Sequence, residues 1–465
     1  MQIKNTFSTE GRYWHIVDNI TPDATADTSE IALWIALPAN HKGQKATIKA
    51  IYPKSGEIIK DEINGNEIVF WHIRNASTTK ERIFYYDFEV TVNEVKTKVD
   101  PLKIRPYDKS SKEYIKYTQS EPWLEITPEI QAKAREIVKE ETNPYYQAKK
   151  IFNWVVDGLT YAIPETENRG ATKALKRMKG DCGEFGGIFV AMCRSLGIPA
   201  RWVVANWFTR EGHAWAEFLL PPYGWLPVDP AAAQTVESGL KGQLAEEQIV
   251  NFMESCGVPT RERDYFFGNL YPKRLIVLKG LNIELKSKEG ITRTFRYLQP
   301  GGEKAYPPAI EFKGLSKKVV NTGFFLFGEG CHDEEKARDI AYKNLSGSYY
   351  DVGLYDRAER GYLKKLEDEP HSYMTRFGLG QLYLDQKRYD EAIEMFKRCL
   401  LEKGGSLKKT IDTWIHILLG HCYDLKNMRK EAVSHYEQAI SIGTDYQGSL
   451  EEAKKCLKIP HKKEE

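Results

Sequence analysis

Alternating apolar and polar positions mark the first quarter of the chain, and helical spacing replaces them further on. Ile31-Ala32-Leu33-Trp34-Ile35-Ala36-Leu37 and Ile83-Phe84-Tyr85-Tyr86-Asp87-Phe88-Glu89-Val90 are rich in β-branched and aromatic residues, the composition of strands. Asn64-Gly65 stands between Glu57-Ile58-Ile59 and Ile68-Val69-Phe70-Trp71, and that dipeptide suits the tight turn of a hairpin. Residues 1–115 therefore read as a β-sandwich-like domain. Next comes a helix over Glu129–Val138, capped and opened by Thr127-Pro128. A second helix runs from Tyr146 to about Leu159, with Ala148, Ile151, Trp154 and Val155 on one face.

A third helix starts at Cys182, carries Phe185, Phe189, Met192 and Leu196 at helical spacing, and stops at Gly197 before Ile198-Pro199. Strand patterns follow at Trp202-Val203-Val204, His213–Leu220, Trp225–Val228, Arg274–Leu278 and Phe324–Phe327. Residues 117–330 thus read as one α+β domain. Beyond, over 335–460, the chain is helical and repetitive. Leu345, Leu379 and Leu419 stand at one fixed offset from Ala358, Ala392 and Ala432, and Tyr349, Tyr383 and Tyr423 keep register with them. The second interval is longer, with the extra residues near Lys403-Gly404-Gly405-Ser406. Such a unit resembles tetratricopeptide repeats, which implies an all-α solenoid.

Composition narrows the picture. A chain of 465 residues exceeds one core and suggests two to four domains. Its 67 basic and 65 acidic residues leave a net charge of +2, which gives no electrostatic footprint for nucleic acid or an anionic membrane. Seven cysteines, an odd number without CxxC spacing, argue against a disulfide framework or a structural zinc site and fit a reducing compartment. No stretch is apolar enough for a signal peptide core or a membrane span. A cytoplasmic protein is expected; a mature form whose export signal was removed is the alternative. No metal or cofactor is expected, and His421 and His435 in the repeats show no ligand spacing.

Candidate chemistry centres on Cys182, in Gly180-Asp181-Cys182-Gly183-Glu184. A thiol at a helix start is biased toward thiolate by the first-turn N–H groups. Acyl transfer also needs a base and an orienting carboxylate. Pro221-Pro222-Tyr223-Gly224 separates His213–Leu220 from Trp225-Leu226-Pro227-Val228-Asp229. Paired as a hairpin, these runs bring His213 within about three residues of the position opposite Asp229. Glu217, on the same strand face as His213, reads as a solvent-facing or supporting carboxylate. Cys193 reads as packing, and Arg194 and Arg201 as ion pairs that fix the Gly-Ile-Pro turn.

These motifs, with Cys193-Arg194-Ser195-Leu196-Gly197-Ile198-Pro199-Ala200-Arg201, Gly212-His213-Ala214-Trp215-Ala216-Glu217 and Trp225–Pro230, resemble the transglutaminase-like superfamily. The tight match covers about 175–232, and looser similarity extends over about 120–280. The resemblance implies a papain-like α+β fold with Cys182 as nucleophile, His213 as base and Asp229 orienting it. Tyr161 resembles in placement the oxyanion donor of some members. Its expected activity is thiol-dependent hydrolysis of amide bonds in peptides or proteins. Cross-linking of proteins is an alternative, although the chain has no calcium-loop pattern. A catalytically silent scaffold, binding a partner protein through the repeats, is the reading from a different class.

Overall fold

The computed structural model describes residues 6–19, 29–74, 76, 81–162, 169–209, 212–295, 310–313, 319–402, 408–445 and 448–462. They fall into two compact units, Met1–His332 and Asp333–Glu465. The first opens with β1 (Thr6–Asn19), β2 (Glu30–Ala36), β3 (Gln44–Tyr52), β4 (Glu57–Lys60), β5 (Glu67–Arg74) and β6 (Arg82–Asn93). Helices α1 (Lys112–Tyr117), α2 (Pro128–Val138) and α3 (Pro144–Gly158) precede the short strand β7 (Thr160–Tyr161). Then come α4 (Ala171–Arg177), β8 (Lys179–Gly180), α5 (Cys182–Ser195), β9 (Ala200–Trp207), β10 (Gly212–Leu220) and β11 (Gly224–Val228). Helices α6 (Pro230–Gly242) and α7 (Glu246–Cys256) lead to β12 (Arg274–Lys279), β13 (Ile283–Lys286), β14 (Thr292–Phe295), β15 (Ile310–Lys313) and β16 (Val319–Phe327).

Two four-stranded sheets carry the early strands, in the orders β16-β1-β6-β3 and β15-β2-β5-β4. Along β6 the residues Phe84, Tyr86, Phe88, Val90 and Val92 are buried in alternation, the period of a strand with one face on a core. The sheets meet through Trp71 edge-on to Phe84 at 5.4 Å, and the Tyr86 hydroxyl donates to the Ala36 carbonyl at 3.0 Å.

The strand at Phe324–Phe327, grouped by sequence spacing with the central segment, pairs elsewhere. It lies antiparallel to β1, with Phe325 opposite Tyr13, and β15 likewise pairs with β2. The reason is face matching. Phe325 packs against Tyr13, Tyr86 and Phe88, an aromatic cluster on the first sheet.

The central sheet has the order β11-β10-β9-β12, and α5 crosses its face. Contact there is close because α5 presents glycines. A Cβ on Gly183 would stand 2.8 Å from the Trp202 ring, and one on Gly186 only 3.0 Å from it. α5 is buried along most of its length, with Phe185, Ile188, Phe189 and Met192 in the core.

The second unit is helical: α8 (Glu334–Asp351), α9 (Tyr355–Asp368), α10 (Tyr373–Asp385), α11 (Tyr389–Leu401), α12 (Lys408–Leu425), α13 (Arg429–Ile442) and α14 (Ser449–Lys458). Consecutive helices pack against each other, most extensively α8 with α9, α10 with α11 and α12 with α13. Two of the pairs, α10 with α11 and α12 with α13, repeat one contact: Gly380 takes the Phe396 ring, and Gly420 takes the Tyr436 ring, at distances that leave no room for a Cβ. The extra residues of the longer interval, near Lys403-Gly404-Gly405-Ser406, lie outside the described residues. Among the described residues, no helix is long and apolar enough to cross a membrane.

Candidate active site

The N-terminus of α5 is built by its own sequence. Asp181 is the N-cap, its carboxylate accepting the Gly183 N–H at 2.8 Å, and Glu184 reaches back to the Asp181 N–H at 3.3 Å. This reciprocal box satisfies first-turn donors and fixes Cys182 as the first helical residue. Two carboxylates beside a thiol would oppose a thiolate, but Arg169 meets both, at 2.8 Å from Asp181 and 3.1 Å from Glu184. Burial and the neighbouring Asp181 charge push the Glu184 carboxyl up to about 7. The Arg169 guanidinium and the raised proton affinity of Glu184 together offset the negative charge beside Cys182.

His213 enters from the start of β10. Ala216 pairs with Val228, so Asp229 lies one step beyond the ladder, on the side toward His213. His213 Nε2 is 2.8 Å from Asp229 Oδ2, and both residues are buried. Cys182 lies near enough to the ring to favour its protonated form, and with Nε2 engaged by the carboxylate, Nδ1 is the nitrogen left to face the thiol. Burial alone would lower the ring's proton affinity, but the Asp229 charge and hydrogen bond and the nearby Cys182 sulfur outweigh it. They hold His213 up at about 10.

Asp229 is positioned in turn. Its Oδ1 accepts the Ala232 N–H at 3.0 Å as N-cap of α6. Its Oδ2 also accepts the Tyr271 hydroxyl at 3.1 Å, and Tyr271 in turn accepts the Trp207 indole N–H at 3.2 Å. Trp207 stacks on the His213 ring, 4.4 Å between centroids and 21° between planes. Its face therefore limits rotation of the imidazole. Neither Tyr271 nor Trp207 is marked by a sequence motif; Trp207 ends a strand, and Tyr271 lies 42 positions from its partner.

A cleft of about 550 Å³ opens over Cys182 and His213. Ala232 and Leu240 of α6 and Gln248, Asn251 and Phe252 of α7 wall it, giving a mixed apolar and amide lining. Leu240 and Lys241 hold left-handed backbone angles, φ 53° and 60°, a conformation costing about 1–2 kcal/mol per residue. That bend turns the chain from α6 into α7 and closes the cleft wall. Tyr161 also lines the cleft, and its strand pairs it with Gly180, two residues before Cys182.

Other expectations resolve differently. Glu217 is fully buried rather than solvent-facing, and it meets Arg201 at 2.7 Å and His41 at 2.6 Å. A strand alternates faces, but both faces of β10 are covered, by α5 on one side and by the turn at His41 on the other. Arg194 binds Glu121 and the Ala200 carbonyl, holding the turn after α5. Cys193 is buried, and burial raises its thiol well above the usual range. Cys182 alone among the seven cysteines is only half-buried; the other six are buried.

Residues 131–230 match the model of the transglutaminase-like superfamily, and residues 375–445 match that of the tetratricopeptide repeat. An uncharacterized protein of Haemophilus influenzae is 25% identical over 277 residues, covering 51% of this chain and 70% of that one. A protein-glutamine gamma-glutamyltransferase of Pseudomonas aeruginosa is 36% identical over 83 residues, covering 14% of this chain and 12% of its own length. A crystal structure of a candidate cysteine protease from Cytophaga hutchinsonii aligns over 70% of this chain and all of its own, at 12% identity and a TM-score of 0.37. Across the curated relatives it matches, the chain spans between 12% and 70% of their length.

Proposed function

We propose that the protein performs thiol-dependent acyl transfer on amide bonds of peptides or proteins, ending in hydrolysis, with Cys182 as nucleophile, His213 as base and Asp229 as orienting carboxylate. One observation carries this reading: a buried imidazole held between a carboxylate at 2.8 Å and a half-buried helix-start thiol, at the edge of an open cleft. His213 accepts the thiol proton and keeps it as imidazolium, stabilised by Asp229. The thiolate attacks the amide carbon, and the tetrahedral oxyanion is offered the Cys182 N–H and the Tyr161 hydroxyl. When the C–N bond breaks, the departing amine takes the proton from His213. Water then adds to the thioester, giving up its proton to His213, and the acid leaves with Cys182 regenerated. The order, with the nucleophile at a helix start, the base on a strand and the acid just past the end of the next strand, supports a papain-like reading of the site.

A second acyl acceptor has one observation behind it, the similarity to a protein-glutamine gamma-glutamyltransferase. In that case an amine takes the acyl group in place of water. The helical repeats, matched by the tetratricopeptide model, support a role in holding a protein partner or substrate.

The test is an electrophilic amide-mimic probe. Stoichiometric labelling of the wild type and none of Cys182→Ala is the expected result; equal labelling of both would overturn the assignment. Incubation with a peptide library then separates the acceptors. New amino termini mark hydrolysis, and isopeptide-linked amines mark transfer.

A further inference from the structure

A cluster in the helical unit stands apart from the cleft chemistry. Glu452 and Cys456 lie one turn apart on α14, His421 projects from α12, and His461 follows α14 after Ile459-Pro460. One ligand atom from each of the four lies within 4.8 Å of all the others. Cys456 Sγ is 3.6 Å from His421 Nε2 and 3.3 Å from Glu452 Oε1, and His421 Nε2 is 3.6 Å from Glu452 Oε1. A tetrahedral ion with bonds of about 2.0 Å to N and O and about 2.3 Å to S sets its ligand atoms about 3.3–3.6 Å apart. All three measured edges match that figure within a few tenths of an ångström. The His461 ring stacks on His421 with centroids 3.6 Å apart and planes 11° apart. Imidazole lone pairs lie in the ring plane, so His461 must turn out of this stack to share an ion with His421. One of its nitrogens already lies within 4.8 Å of the other three ligand atoms.

The fourth position is held independently. Asp424 Oδ2 accepts the His461 backbone N–H at 2.8 Å and the Tyr436 hydroxyl at 2.9 Å, and Arg429 reaches the same carboxylate at 2.9 Å. Arg429 also donates to the Cys456 and Leu457 carbonyls at the end of α14, both at 2.8 Å. The tail is therefore fixed beside α12 by groups outside the cluster. The donor set is chemically selective: thiolate and imidazole favour a borderline-soft ion over magnesium or calcium. One thiolate and one carboxylate neutralise a divalent charge, which suits a site where Cys456 is buried and His421 nearly so.

We propose that His421, Glu452, Cys456 and His461 form a tetrahedral site for a divalent zinc-type cation, which staples α14 and its tail to α12. The site is structural, with four protein ligands, and binding releases the Cys456 proton to solvent. Sequence spacing conceals it because the ligands come from two helices and a tail, not from one short motif.

The test uses the full chain, freed of metal and titrated with Zn²⁺, with Co²⁺ as the spectroscopic probe. One equivalent of Zn²⁺ per chain should bind and raise the Tm, and Co²⁺ should give a thiolate-to-cobalt charge-transfer band. Cys456→Ser should remove the band and weaken Zn²⁺ by about 100-fold or more, beyond the effect of losing an outer-shell partner. Cys182→Ala should leave band and affinity unchanged, which separates this site from the cleft thiol. If Cys456→Ser does not fold by circular dichroism, His421→Gln serves, since it should keep the band and still weaken Zn²⁺ to the same degree. A wild type that takes up no stoichiometric Zn²⁺, a band that survives Cys456→Ser, or a band lost in Cys182→Ala would each overturn the proposal.

Discussion

Tyr271 donates its hydroxyl to the same Asp229 oxygen that meets His213, at 3.1 Å against 2.8 Å. The carboxylate is thereby pinned from two sides, and its charge is shared. Tyr271→Phe should keep the fold and lower kcat/KM on a small amide by about tenfold, the equivalent of one charge-assisted hydrogen bond. The basic limb of the pH profile should move upward, because the freed carboxylate holds the His213 proton more tightly. An unchanged profile with only a lower Tm would assign Tyr271 to packing.

His213 links stability to pH in a definite direction. Its folded-state value, about 10, lies above its ordinary 6.5. Its contribution is therefore complete below about 6.5 and is lost as pH rises toward 10. Urea unfolding of wild type and His213→Gln across that window should show a stability gap that narrows with rising pH. A gap that widens would contradict the assignment of the proton.

Arg169 compensates two buried carboxylates at the head of α5. Arg169→Met leaves Asp181 and Glu184 facing each other unpaired, a change of about 3–5 kcal/mol. Because Glu184 takes a proton near 7, the loss should be smaller at pH 5.5 than at pH 8. Thermal unfolding at the two pH values measures it.

Glu217 is ionised against burial because His41 and Arg201 hold its carboxyl well below the ordinary 4.5. Its contribution is present above 4.5 and lost only as pH falls through the lower, folded value. Glu217→Gln should cost about 3–5 kcal/mol at neutral pH, with a deficit that shrinks on strong acidification. Probe labelling of Cys182 in the folded fraction should persist, since Glu217 does not line the cleft.

Gly420 leaves space for the Tyr436 ring, which stands 2.3 Å from where a Cβ would be. Gly420→Ala should destabilise the helical unit by about 1–3 kcal/mol through overpacking, read by urea unfolding. The Cys182 labelling rate should not change.

The local patterns were legible where neighbours in sequence are neighbours in space. The repeat register of Leu379 with Ala392, the cap at Thr127-Pro128 and the turn between β10 and β11 are of that kind. Pairing across long separations was not. β16 is assigned by the fit of Phe325 to Tyr13, a contact that no window of sequence contains. Cys182, His213 and Asp229 stood out because their motifs are short and ordered. Tyr271, Trp207 and Arg169 hold those side chains in place through contacts that depend on the folded sheet, and nothing in their own flanks marks them. Glu217 shows the same limit: alternation identifies its face, but not that the face is covered and the carboxylate paired with Arg201 and His41.

The pairing of β1 with β16, and of β2 with β15, has a consequence for synthesis. A ribosome delivers β1 to β6 first, yet each of the two sheets lacks one strand until residues 310–327 emerge. The whole segment bearing Cys182, His213 and Asp229 is translated in that interval, as a loop whose ends will be tied together. Premature termination anywhere before residue 319 therefore leaves β1 with an unsatisfied edge, open to the edge of another chain. A nascent chain is exposed to that pairing for as long as translation of the intervening segment takes.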